Sequence, residues 1–135
     1  MSNSGFTLEF ARRRSRRAEP SLRTALVRLL RASLPKETAF FSLPQEERAR
    51  TNASGFAQGT MAGAPDLVFI HGGRAFGLEL KAHGDGLSDA ERAAQVALRD
   101  AGMRVEVARD LNEALVRLRE MGIPLKTSTF RGRAA

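Results

Sequence analysis

The sequence predicts a single α/β domain in which helices cover one mixed sheet of about four strands. Its 135 residues are the length of one ordinary domain, and a hydrophobic fraction of 42% suffices for one core. Short apolar runs typical of strands also alternate with segments of helical spacing. The predicted order is α-β-β-β-α-β-α within residues 19–124. A flexible basic arm, residues 1–18, and a flexible tail, residues 125–135, are expected on either side.

Prolines bound the first two elements. A helix is predicted over residues 20–33, because leucines recur there at helical spacing and Pro35 follows. Residues 39–43 have the composition of a short strand, which Pro44 ends. Residues 45–63 contain three glycines and are expected to form a surface loop with some helix.

A β-hairpin is predicted around Gly72 and Gly73, because apolar runs at 67–70 and 75–81 flank this turn signal. A two-residue or four-residue loop sets Asp66 opposite Glu79, whereas a three-residue loop would shift the pairing by one. In the first register the two carboxylates share a face with Lys81, two residues further on. That face also carries Val68 and Ile70 and is expected to be largely covered.

The remaining elements have clear end signals. Ser88 and Glu91 form a capping-box pattern that begins a helix, expected to run to about residue 101 before Gly102. Residues 103–108 alternate as a strand with one favoured face. Asp110 and Glu113 form a second capping-box pattern, and the helix that they begin is expected to end near residue 122.

Composition restricts the partners. Lys and Arg number 22 against 15 Asp and Glu, which gives a net charge of +7 and favours a nucleic-acid partner. There is no cysteine, so disulfides and thiolate metal sites are excluded. No apolar run approaches the length of a membrane span, and the N-terminus lacks a signal-peptide pattern, so no membrane association and a cytoplasmic location are expected.

The hairpin acids suggest a chemistry. Two carboxylates opposite each other repel, and Lys81 is expected to offset only one of their charges. A divalent cation such as Mg²⁺ would balance the remainder, since hard cations prefer carboxylate, carbonyl and water ligands. Such a site can activate water against a phosphodiester, with Lys81 placing the water or stabilising the transition state. A structural ion-pair cluster around Lys81 is the alternative.

The pattern Pro65-Asp66 followed by Glu79-Leu80-Lys81 resembles the PD-(D/E)XK nuclease signature. The flanking residues resemble its VRR-NUC branch over roughly residues 19–118. These flanks are Glu19-x-x-Leu22, Phe40 to Pro44, Gly63-x-Pro65-Asp66, Glu79-x-Lys81-Ala82, Gly86-Leu87-Ser88 and the closing strand and helix.

The resemblance implies Mg²⁺ or Mn²⁺ as cofactor, with Asp66, Glu79 and the Leu80 backbone carbonyl as metal ligands. It implies that Lys81 is the catalytic lysine and that Glu19 is a helix-borne acid reaching the metal waters. Stand-alone members of this branch are phage and bacterial structure-specific nucleases, including dimeric resolvases of branched DNA such as the Holliday junction. DNA is therefore the implied substrate, and a homodimer is compatible with one site per chain.

Some positions depart from the family pattern. Glu91 stands where a glutamine is frequent, with Gln95 one turn later as its substitute, and Arg23 also stands where glutamine is common. Phe56 replaces a frequent lysine. The candidate substrate contacts are Arg12, Arg13, Arg14, Arg16, Arg17, Arg92 and Gln95. A non-catalytic nucleic-acid-binding protein on this scaffold, or a nuclease subunit that needs a partner, remains an alternative.

Overall fold

The computed structural model describes residues 22–43 and 59–126, which form three helices and one sheet in the predicted order. The described part of helix α1 covers residues 22–33. The elements that follow are β1 (Thr38–Ser42), β2 (Leu67–His71), β3 (Arg74–Leu80), α2 (Asp89–Asp100), β4 (Arg104–Ala108) and α3 (Leu111–Glu120). The strands lie side by side in chain order, with β1–β2 and β2–β3 antiparallel and β3–β4 parallel.

The β2–β3 hairpin has the predicted register. His71 pairs with Arg74, and Leu67 pairs with Leu78. Gly72 and Gly73 form the turn with φ values of 58° and 75°, a backbone region that glycine enters without steric cost. Continuing the register by one residue sets position 66 opposite position 79, as the sequence predicted.

One face of the sheet carries the main core. The odd-numbered positions of β2 and the even-numbered positions of β3 point toward α1 and α3, as strand alternation requires. Their buried residues are Leu67, Phe69, Phe76, Leu78 and Leu80, and the helices contribute Leu26, Leu30, Leu115 and Leu118.

The other face is covered only in part, which corrects the prediction. Helix α2 connects the parallel strands β3 and β4 and packs against β4. Ile70 of β2 and Phe41 of β1 remain 42% and 50% exposed. A helix is about 10 Å wide and strands are about 4.8 Å apart, so one helix covers about two strands of a four-stranded sheet.

The helix ends agree with the capping signals except in one detail. Ser88 and Glu91 form the full capping box of α2, with hydrogen bonds of 2.8 Å and 3.1 Å. At α3, Asp110 accepts a hydrogen bond from the Glu113 amide, but Glu113 accepts from the Arg109 amide instead of completing the box. The second capping box is therefore only half formed, because the Glu113 side chain reaches one residue further back.

The domain continues beyond its predicted end. Leu125 packs against the core, and the Lys126 amide donates a 3.1 Å hydrogen bond to the Ser33 carbonyl. The boundary predicted after residue 124 is therefore at least two residues too early. None of the helices in the described ranges combines the length and hydropathy needed to cross a membrane.

Candidate functional site

Asp66 and Glu79 are buried at one end of the sheet. Asp66 directly precedes β2, and Glu79 lies near the end of β3, so the hairpin register sets them opposite each other. Each residue is only 2% exposed. Burial of two carboxylates at neighbouring positions is costly unless other groups compensate their charge. The surrounding side chains provide that compensation.

Asp66 is held by two elements besides its own. Its Oδ2 atom accepts a 2.7 Å hydrogen bond from the Leu80 backbone amide. Its Oδ1 atom forms an ion pair with Arg23 of α1, whose guanidinium also donates a 3.3 Å hydrogen bond to the Leu43 carbonyl. Asp66 therefore connects the hairpin to the first helix, and Arg23 compensates its charge.

Lys81 directly follows β3 and is oriented by α2. Its backbone amide donates to the Ala108 carbonyl, which extends the β3–β4 pairing by one residue. Its Nζ atom lies 2.7 Å from Oε1 of Glu91, and both side chains are largely buried. The ion pair with Glu91 adds a third acid to the two that were predicted beside the lysine. The helix brings this third acid into the site.

Glu91 is ionised over the ordinary pH range. Burial alone would raise its pKa, but hydrogen bonds with the Lys81 side chain, with the Ser88 amide and with the Glu79 side chain outweigh it and lower the pKa from 4.5 to about 2. One residue therefore caps α2 and also holds the lysine. A glutamine at this position could accept the same hydrogen bonds but would supply no negative charge.

The site therefore combines two cationic side chains, Arg23 and Lys81, with the three acids Asp66, Glu79 and Glu91.

Gln95 lies one helical turn after Glu91, on the same side of α2, and is only 5% exposed. Its Nε2 atom has no hydrogen-bond partner among the described residues. A buried amide donor without an acceptor is unfavourable, so this atom is available to a ligand oxygen or water. Arg92, the other predicted contact on this helix, is exposed and pairs with Asp89 at 3.3 Å.

The segment before Asp66 is pressed against the start of α2. Gly63 has a φ of 76°, and a Cβ atom there would lie 2.4 Å from the carbonyl carbon and oxygen of Ala90. Further along the same sheet face, a cavity of about 430 Å³ opens beside Pro65 and Val68. Its walls are mainly apolar, with Met61, Leu98 and Met103 among them.

Several predicted site residues lie outside the described ranges. These are Glu19 and the arginines of the N-terminal arm, Arg12, Arg13, Arg14, Arg16 and Arg17. Of the predicted residues that are described, Asp66, Glu79 and Lys81 come together, and Gln95 lies on the adjoining helix. Neither Arg23 nor Glu91 was predicted from the sequence to hold the site together. The available signal for both was that they stand where glutamine is frequent in the family that the sequence resembles.

The donors suit a divalent cation in chemistry, although they are few. Within residues 22–43 and 59–126, no three acidic, histidine or cysteine side chains are grouped so as to hold a metal ion. Asp66, Glu79 and the Leu80 carbonyl supply hard oxygen donors, which Mg²⁺ and Mn²⁺ accept. In the structure the Arg23 guanidinium already contacts one of these acids, Asp66.

Comparison of the chain with protein-family models, with curated proteins and with solved structures finds no match.

Proposed function

We propose that this protein is a divalent-metal-dependent endonuclease that hydrolyses DNA phosphodiester bonds and selects branched or junction DNA by structure. The observation that supports it best is the burial of Asp66 and Glu79, which lie opposite each other and are each 2% exposed. Lys81 follows Glu79 by two residues along the chain. The net charge of +7 suits a polyanionic substrate.

In this proposal Asp66, Glu79 and the Leu80 carbonyl hold Mg²⁺ or Mn²⁺, with Glu19 as a further acid. When bound, the ion lowers the pKa of its water and offsets charge on the phosphoryl oxygens. Lys81 orients the attacking water or stabilises the negative charge of the transition state. Glu91 is a positioning residue, because its carboxylate fixes the lysine amine at 2.7 Å. Gln95 contributes an amide donor from the same helix.

The Arg23–Asp66 and Lys81–Glu91 ion pairs also support a second candidate, a non-catalytic DNA-binding protein. Arg23 already compensates the charge of Asp66, and Glu91 that of Lys81, so neither of these pairs requires an ion. Such a protein would bind DNA through its arginines with no dependence on metal. A nuclease subunit that becomes active only with a partner would have the same site.

The experiment compares cleavage of flap, splayed-arm and four-way-junction DNA in Mg²⁺, in Mn²⁺ and in excess chelator. The variants are Asp66→Asn and Lys81→Ala, and the matched control is Asp89→Asn, which removes a fully exposed carboxylate at the start of α2. We expect metal-dependent cutting by wild type and Asp89→Asn, and a loss of at least about 100-fold in the other two.

Binding without cutting by wild type in either metal would support the non-catalytic candidate. Cutting that survives Asp66→Asn would contradict the assigned site directly. Sedimentation of the wild-type chain with and without junction DNA tests the homodimer, since two strands are cut most simply by paired copies.

A further inference from the structure

We propose that Arg23 is a built-in competitor of the divalent cation at Asp66, so that the cation binds only when the guanidinium gives up this carboxylate. The inference rests on the proposed function, because it concerns the same acid. Arg23 comes from α1, on the face of the sheet opposite to α2, and reaches the carboxylate at the sheet's end.

Both oxygens of Asp66 already have partners. Oδ2 accepts the Leu80 amide at 2.7 Å, and Oδ1 accepts the Arg23 guanidinium. The Leu80 amide belongs to the backbone of a buried strand and cannot withdraw without breaking the sheet. An incoming cation therefore approaches the oxygen that Arg23 contacts, and a unit positive charge beside it opposes its binding.

Arg23 is the partner that can leave. Its side chain is 19% exposed, whereas that of Asp66 is 3% exposed, so the guanidinium lies at the solvent edge of the ion pair. Within residues 22–43 and 59–126 its other hydrogen bond is a 3.3 Å contact with the Leu43 carbonyl. Arginine has a long side chain that can place its charged end in water while its stem stays packed.

The consequence is a cation affinity lower than the acids alone would provide. Breaking a charge-assisted hydrogen bond to a buried carboxylate opposes binding by about tenfold or more. Replacement of Arg23 with glutamine removes the positive charge and keeps a side chain that can donate a hydrogen bond. The variant should therefore bind the cation more tightly than wild type, although it loses an ion pair.

The test measures Mn²⁺ binding to the full chain without DNA, by the electron paramagnetic resonance signal of free Mn²⁺. We expect Arg23→Gln to bind at least about tenfold more tightly than wild type. Arg23→Lys keeps the charge and should bind within about threefold of wild type. Arg28→Gln is the matched control, because it removes an exposed arginine from the same helix and the same unit from the net charge.

Thermal unfolding by circular dichroism confirms that each variant is folded. If Arg23→Gln does not fold, the comparison rests on Arg23→Lys and wild type. Two results would overturn the proposal. One is Mn²⁺ binding by Arg23→Gln that is no tighter than in wild type, and the other is a gain in affinity in Arg28→Gln equal to that in Arg23→Gln. Binding 10-fold or more tighter in Arg23→Lys than in wild type would overturn it too. A double variant, Asp66→Asn combined with Arg23→Gln, separates failure of this inference from failure of the proposed function. If that double variant retains full Mn²⁺ affinity, the metal site itself is misplaced and both proposals fail.

Discussion

Replacement of Gly63 with alanine is expected to destabilise the domain strongly, because the new methyl group has no space. Gly63 adopts a φ of 76°, which disfavours any residue with a Cβ atom. The added Cβ would also lie 2.4 Å from the carbonyl carbon and oxygen of Ala90 and 2.5 Å from the Glu91 nitrogen. These are backbone atoms in the first turn of α2, so no side-chain rotation can relieve the overlap.

The expected loss has two parts. The left-handed backbone conformation costs alanine about 1–2 kcal/mol. Forcing a methyl group into a closed space costs about 1–3 kcal/mol more, through the backbone shifts that it requires. The sum of about 2–5 kcal/mol is a large fraction of the about 5–15 kcal/mol that stabilises an ordinary domain.

Gly84→Ala is the matched control, since Gly84 has a similar φ of 87° but no atom within 4 Å of an added Cβ. Gly84→Ala should therefore lose only the unfolding free energy that the left-handed backbone conformation costs. The free energy of unfolding is measured by circular dichroism in urea, because the chain has no Trp or Tyr to serve as a fluorescence probe. Equal destabilisation by the two substitutions would refute the close approach of residue 63 to α2.

Three further outcomes are expected. Ser88→Ala removes the N-cap of α2 and should lower the free energy of unfolding by about 1 kcal/mol, as measured in urea. Leu118→Ala leaves a cavity at a fully buried position and should cost about 2–5 kcal/mol in the same assay. The lowered pKa of Glu91 stabilises the fold fully above pH 4.5, and this contribution is lost as the pH falls toward about 2. The difference in stability between wild type and Glu91→Gln should therefore shrink over that interval, and a constant difference would contradict the ion pair.

The hairpin and the helix ends could be predicted from sequence because their signals are local. Gly72 and Gly73 fix the turn, and counting outward from them gives the pairing of position 66 with 79. Ser88 and Glu91 are three residues apart, so their mutual hydrogen bonds follow from helix geometry alone.

The partners of the site residues could not be predicted in this way. Arg23 and Asp66 are 43 positions apart, and their contact depends on how α1 lies across the end of the sheet. The capping pattern explained Glu91 completely by itself, which hid its second contact with Lys81. The exposure of Ile70 was missed because strand alternation defines a face but not how far one helix extends over it.

The acid and basic groups of the site also fasten the fold together. Asp66 links β2 to α1 through Arg23, and Lys81 links β3 to α2 through Glu91, so helices on opposite faces are tied to the sheet by the same few charges. Neutralising one residue of an ion pair leaves its buried partner without a compensating charge, which typically costs several kcal/mol. Substitutions made to test the proposed chemistry will therefore also lower the folded fraction. Any lost activity in such variants should be corrected for that fraction before it is ascribed to a missing catalytic group.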